Sequence, residues 1–217
     1  MILEPVYLYC ERLGPGLWAE PLNLAAGFGF FLSAVLIWRM AQGVAALRWM
    51  AATVLLMFLA TIHMHMLPTR LSVGLTIGTI LLFVVQFFYL MNRDLVGLSV
   101  RMSVVLTLLI LPFAATSLPL MGLLPGGFGT IAFLPLGILL LGYPALLRAE
   151  HPRTARGVLV GSLILGAGLA VRSVDLPMCD VWPHGTQFAW KLFAALLTWH
   201  LARVYRAHVL AGADAGR

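Results

Sequence analysis

The chain of 217 residues is 61% apolar and 10% charged, with a mean hydropathy of +0.98. An apolar share so far above the roughly 45 to 50% of soluble domains excludes an ordinary water-soluble globule and points to a polytopic membrane protein. The net charge of +6 does not point to nucleic acid, because the arginines are scattered singly between apolar runs and form no basic stripe.

In chain order, residues 1–20 form a strap of mixed polarity that carries Glu4, Glu11 and Glu20, and no cleavable signal peptide is expected, because the first long apolar run is followed by no small-residue cleavage site. Seven apolar runs long enough for a bilayer follow, at about 21–41, 47–66, 71–91, 98–118, 128–147, 156–171 and 186–205. Between the fourth and fifth, LMGLLPGGFG places a turn at Pro125, Gly126 and Gly127. The sixth run carries Gly157, Gly161, Gly166 and Gly168, which predicts a closely packed helix rather than a lipid-facing one. The expected architecture is an all-α membrane protein, a seven-transmembrane helix bundle in a single domain: strap 1–20, bundle 21–206 and C-terminal tail 207–217.

Orientation follows from the arginines. Arg39, Arg48, Arg93, Arg101, Arg148, Arg153, Arg156, Arg203, Arg206 and Arg217 fall on one side of the spans. Arg12, Arg70 and Arg172 fall on the other, together with Glu4, Glu11, Glu20, Asp175 and Asp180. The first side is cytoplasmic by the positive-inside rule, so the N-terminus is expected outside and the C-terminus inside, in the inner membrane if the source is bacterial.

Chemistry-bearing residues gather toward the outer side. GTQFAWKLFAALLTWH, residues 185–200, sets Lys191, the only lysine of the chain, inside an apolar run, with Gln187 one helical turn earlier on the same face. In a helix starting near Pro183, Lys191 lies roughly 12 Å in, at about 1.5 Å per residue. A cation there costs about 2.5 to 3.5 kcal/mol on insertion scales, so Lys191 either faces the protein with a partner or snorkels to the interface. His63 and His65 end the second span, Arg172 and Asp175 end the sixth, and Glu11 and Glu20 precede the first. Their convergence from four segments marks a candidate site; the alternative is a set of interfacial polar residues. Cys10 and Cys179, the only cysteines, lie on the same outer side, where an oxidising compartment allows a disulfide; two unrelated thiols are the alternative.

Three segments resemble one family. YCERLGPGLWAEPLN (9–23) is similar to the N-terminal strap of bacterial ceramidase-like proteins, and HMLPTR (65–70) looks like that family's His followed by Ala-Thr-Arg-Trp. RSVDLPMCDVWPHGTQFAWKL (172–192) resembles its R-x-x-D, Cys, Pro, Gly-Thr-His-x-x-x-His run. The chain thus resembles the alkaline ceramidases of the wider CREST group of seven-helix membrane hydrolases across nearly its whole length.

The resemblance implies a zinc ion held by three His, with a Ser and an Asp completing the site. Zinc so held keeps a fourth position for water, lowers its pKa to about 7, and delivers hydroxide to an amide carbonyl. Carried over residue by residue, the first zinc position is His65, the Ser position is Thr61, the Asp position is Thr76, and the remaining zinc positions are Gln187 and Lys191. Thr61 keeps a hydroxyl, whereas Thr76 cannot act as a carboxylate. A protonated lysine does not ligate zinc and repels one, so the zinc is expected to be lost, Lys191 replacing its charge and being held by Gln187, Thr61, Thr76 or Asp175. A displaced site built from His63 or His65 with His184 falls short of the three ligands usual for catalytic zinc. The family also implies calcium in the strap, which here falls to Glu11 and Glu20, with Leu8 at a further acidic position; the alternative is pairing of these glutamates with Arg12 or Arg172.

Two functions follow from the resemblance and its departures. One is hydrolysis of the amide bond of ceramide or a related N-acyl lipid. The other is a catalytically inactive relative that binds a sphingolipid-like or acyl lipid, with membrane lipid as the partner in either case. A retinal protein needs a carboxylate counter-ion near its lysine, and the third span has no acid. Met57, Met64 and Met66 suit adaptable core packing better than copper binding.

Overall fold

Pro21 and Pro152 each open a helix in its first turn, where a missing N–H leaves no intrahelical bond unmade. Thr69 and Ser72 open another through reciprocal side-chain and backbone bonds, a capping box. The computed structural model describes residues 2–12, 14–121, 130 and 132–215, without the side chains of 117–121 and 213–215. Among these residues it contains seven long helices: α1 (Pro21–Met40), α2 (Ala45–Met66), α3 (Arg70–Leu90), α4 (Val100–Met121), α5 (Leu134–Leu147), α6 (Pro152–Ser173) and α7 (Gln187–Ala215). α3 runs on into a π-helical turn, Met91–Leu95, and a short 3-10 turn, Leu176–Met178, lies between α6 and α7.

Four stretches, Pro21–Met40, Ala45–Met66, Arg70–Leu95 and Pro152–Ser173, are long and apolar enough to cross a membrane, consistent with a helical membrane protein. Leu134–Leu147 is a shorter apolar helix, and α4 is apolar over Val100–Thr116. The turn expected at Pro125, Gly126 and Gly127 lies outside the described residues. The fifth helix starts at Leu134, later than its apolar run: Phe133 N–H bonds Thr130 C=O at 3.0 Å in a preceding turn, and a proline stands in the helix's first turn.

The C-terminal end differs from the expected tail. Helix α7 continues through 215 because its last turns are fastened to the bundle. Arg206 Nε donates to Met40 C=O at 2.9 Å, and His208 bonds Thr154 Oγ1 at 2.9 Å and Asp94 C=O at 3.1 Å.

The helices close into a ring, α2 on α1, α1 on α7, α7 on α6, α6 on α5, α5 on α4, α4 on α3 and α3 on α2. The seam of α6 on α7 is close-packed through glycine. A Cβ on Gly157 would stand 2.7 Å from Val204 Cγ2, and one on Gly161 2.7 Å from Leu201 Cδ2. A Cβ on Gly168 would meet Trp190 and Phe193 at 3.0 Å, whereas one on Gly166 would face open space, so the glycine pattern of the sixth run serves packing at three of its four positions. Ser33 and Thr198 hydroxyls bond at 2.8 Å between α1 and α7.

The strap lies across one end of the ring, where α1 and α7 start and α2 and α6 end. Val6 N–H bonds Pro68 C=O at 2.8 Å and Leu71 N–H bonds Ile2 C=O at 3.1 Å, which ties the strap to the α2–α3 turn. Cys10 and Cys179 are joined in a disulfide, which ties it to the loop before α7.

Candidate functional site

The site is built where the starts of α1 and α7 meet the ends of α2 and α6 beneath the strap. Helix starts expose N–H groups that need acceptors, and two buried carboxylates supply them. Glu11 accepts from Leu22 N–H at 2.6 Å and Asn23 N–H at 2.9 Å at the start of α1. Asp175 Oδ1 accepts from Thr186 N–H at 2.6 Å and Gln187 N–H at 2.8 Å at the start of α7. The chain reaches that cap through Gly185 at φ +58°, where a Cβ would lie 2.2 Å from Asp175 Oδ1 and 2.8 Å from Cys10 Cβ.

Glu20 is the centre of the network. Its carboxylate accepts from Arg12 Nε, from His65 Nδ1 at 2.5 Å and from Asn23 Nδ2 at 3.2 Å. Burial opposes its charged form, but the His65 and Arg12 donors outweigh that effect and hold Glu20 below the ordinary carboxylate range. Arg12 continues to the carbonyls of Gly14, Gly16 and His65. Nδ1 of His65 carries the proton given to Glu20, so in the neutral ring Nε2 is the lone-pair nitrogen; Nε2 is buried and has no hydrogen-bond partner among the described residues.

Lys191 is buried, at 3% exposure, and does not snorkel. Its Nζ donates to Asn23 Oδ1 and stands 5.6 Å from the centre of the Tyr9 ring. Burial pushes the Tyr9 phenol above its usual pKa, so the hydroxyl keeps its proton and can donate. None of the partners expected for the ammonium takes it. Gln187 Oε1 accepts from Arg172 Nη1 at 3.0 Å, Thr76 donates to Ala60 C=O at 3.1 Å and Ser72 C=O at 3.0 Å, and Asp175 is the α7 cap. Thr61 is buried on the wall of the cavity described next. Gln187, Thr76 and Asp175 each have a nearer obligation to backbone or to a neighbouring side chain, which periodicity alone does not reveal.

A cavity of about 520 Å³ opens inward from this cluster. Tyr9, Thr61, Arg172, Asp175, Gln187 and Lys191 line its polar end, and Phe30, Met57, Ile80 and Leu136 line its apolar depth. A second space of about 100 Å³ shares those four apolar residues and reaches Phe83, Phe87 and Leu140.

The histidines do not assemble. His63 and His184 are exposed, His184 against the Trp182 ring, and His200 bonds Gly157 C=O at 2.8 Å in the seam between α7 and the start of α6. Only His65 reaches the cluster, so the displaced arrangement of His63 or His65 with His184 does not form. Among the described residues no three His, Cys, Asp or Glu side chains form a group able to hold a metal ion. At the resemblance's zinc positions the donors are one imidazole, one amide and one ammonium bonded to Asn23, which do not fit zinc. All four oxygens of Glu11 and Glu20 have protein donors, Arg12 being the cation paired with Glu20.

Sequence reasoning missed Asn23 and Tyr9. Both stand in the strap segment 9–23, and Asn23 lies three residues after Glu20 on the first turn of α1, where its amide reaches both Glu20 and Lys191. Compared with known proteins, the chain matches no family model, no characterised relative and no solved structure.

Proposed function

We propose that this chain is a seven-spanning membrane protein, N-terminus outside and C-terminus cytoplasmic, that binds an acyl lipid without zinc chemistry. The cytoplasmic placement draws on the arginines between the spans, and the acids of the strap then lie outside. The single observation that carries the reading is the wall of the cavity: a cluster of polar groups at one end and an apolar interior behind it, with Lys191 at the resemblance's third zinc position. An ammonium there supplies fixed positive charge but no open coordination position for water.

Metal content of the detergent-purified chain, read by mass spectrometry beside the Gln187→His, Lys191→His double variant, tests this. We expect no stoichiometric zinc in the wild type and a gain in the variant; about one zinc per wild-type chain overturns the reading. Co-purified lipid, identified after extraction, should carry acyl chains.

A second reading, amide hydrolysis of a ceramide-like lipid, is favoured by one feature. His65 is held through Nδ1 by Glu20 and keeps Nε2 as a lone-pair nitrogen, the arrangement of a general base. Release of fatty acid from an N-acyl lipid by the purified chain, lost in His65→Gln, would decide for it.

A further inference from the structure

The polar end of the cavity is balanced in charge. Glu11, Glu20 and Asp175 stand against Arg12, Arg172 and Lys191, and Asp175, Arg172 and Lys191 are on the cavity wall itself. Each of these charges is also held by hydrogen bonds within the protein: Arg12 to Glu20, Lys191 to Asn23, Arg172 to Gln187 and Tyr9. Glu11 and Asp175 are taken by the first N–H groups of α1 and α7. A ligand that brought a net charge into this space would find no free counter-charge, and an uncompensated charge away from water is costly. A neutral headgroup carries no such penalty.

What the wall leaves open is a set of hydrogen-bond donors. Gln187 turns its side-chain oxygen to Arg172, so its amide N–H groups meet no acceptor among the described residues. Arg172 Nε is buried and has none either. Tyr9 accepts from Arg172 and keeps its own O–H to give, and the buried Thr61 adds a hydroxyl able to donate or accept. Donors left unpaired away from water are costly, and these are satisfied by acceptor oxygens that bring no charge.

On the reading that the cavity takes an acyl lipid, we propose that it is built for a neutral ester headgroup bearing a hydroxyl, on a single acyl chain, as in a monoacylglycerol. The ester carbonyl supplies an acceptor to the Gln187, Arg172 and Tyr9 donors, and a hydroxyl exchanges a bond with Thr61, with no change in the charge of the site. A free carboxylate has acceptor oxygens but brings a charge, an ammonium brings a charge and no acceptor, and a hydrocarbon brings neither. One chain follows from size and shape. At about 520 Å³ the cavity lies in the range of about 300 to 1,000 Å³ of pockets that enclose one small molecule. Its apolar wall continues into one deeper space of about 100 Å³, which leaves a second chain without a place.

The test is binding of five probes to the full chain purified in detergent, read by native mass spectrometry: monooleoylglycerol, oleate, oleylamine, octadecene and dioleoylglycerol. We expect monooleoylglycerol to bind at least about tenfold tighter than each of the others. Asp175→Asn removes one negative charge while keeping a cap oxygen for α7, and should shift the ratio of oleate to monooleoylglycerol about tenfold toward oleate. Arg172→Gln removes one positive charge and should shift the ratio of oleylamine to monooleoylglycerol about tenfold toward the amine. Each ratio compares two ligands on one preparation, so it does not depend on the stability of the variant. Oleate or oleylamine binding the wild type as tightly as monooleoylglycerol, or an unchanged ratio in either variant, overturns selection by charge balance. Octadecene binding as tightly overturns the donor set, and dioleoylglycerol binding as tightly overturns the single chain. Retention of no probe overturns acyl-lipid binding itself, the reading on which this one rests.

Discussion

Lys191 donates its ammonium to the side-chain oxygen of Asn23, 168 positions earlier in the chain, and both residues are buried. The bond joins the first turn of α1 to the second turn of α7 and, through the Asn23 amide, to Glu20. Lys191→Met removes the donor and leaves Asn23 Oδ1 buried and unsatisfied, a loss of about 1 to 3 kcal/mol. Asn23→Leu leaves the ammonium without its acceptor and should cost more. The double variant removes both ends, so its loss should be smaller than the sum of the two single losses. Thermal unfolding of all four proteins measures the cycle; strict additivity would mean that the two residues do not support each other.

Glu20 makes the fold sensitive to acid. Its folded pKa lies below the usual value of 4.5, so the unfolded chain binds a proton more readily than the folded one. The stability this contributes is complete above about pH 4.5 and is lost as pH falls through the folded value. Glu20→Gln should therefore flatten the decline in melting temperature below that pH. At neutral pH it should cost about 3 to 5 kcal/mol, because Arg12 is left buried without its carboxylate. Melting curves between neutral and acid pH, wild type against variant, check both parts.

Much of this arrangement was legible before any coordinates. Long apolar runs give helices wherever turn chemistry interrupts them, and the glycines of the sixth run anticipate its close contact with α7. The placement of Glu11, Glu20, Asp175, Gln187 and Lys191 at one end of the helices follows from their positions at the borders of apolar runs. Which of them touch does not. Lys191 chooses Asn23 over Gln187, although Gln187 sits on its own helix face, because Arg172 arrives from α6 and takes the Gln187 oxygen. Pairings of that kind depend on the rotation of separate helices, for which periodicity holds no record. The continuation of α7 through 215 was hidden for the same reason: its anchors are Met40, Asp94 and Thr154 on three other elements.

The disulfide holds the strap over the cavity. Cys10 and Cys179 are 169 positions apart, and the bond closes nearly the whole bundle into one loop. Replacing both by serine should lower stability by about 2 to 4 kcal/mol. It should also speed exchange of a bound acyl lipid, because Leu8 and Tyr9 of the strap form part of the cavity wall. Lipid dissociation followed with and without reductant separates the second effect from the first; an unchanged rate would show that the strap does not gate the cavity.

Gly185 tests whether the start of α7 is fixed by Asp175. The residue has φ +58°, a conformation that costs an ordinary L-residue about 1 to 2 kcal/mol. A methyl group would also meet Asp175 Oδ1 at 2.2 Å, in the oxygen that accepts from Thr186 and Gln187. Gly185→Ala must therefore displace the cap, and with it the turn of α7 that presents Gln187 and Lys191 to the cavity. The expected loss exceeds about 2 kcal/mol and is accompanied by weakened lipid binding. Gly166→Ala is the control, since it lies in the interior of α6 with open space around its would-be methyl and should gain about 0.4 to 1 kcal/mol. If Gly185→Ala unfolds at the same temperature as the wild type, Gly185 is not the constraint that the geometry makes it.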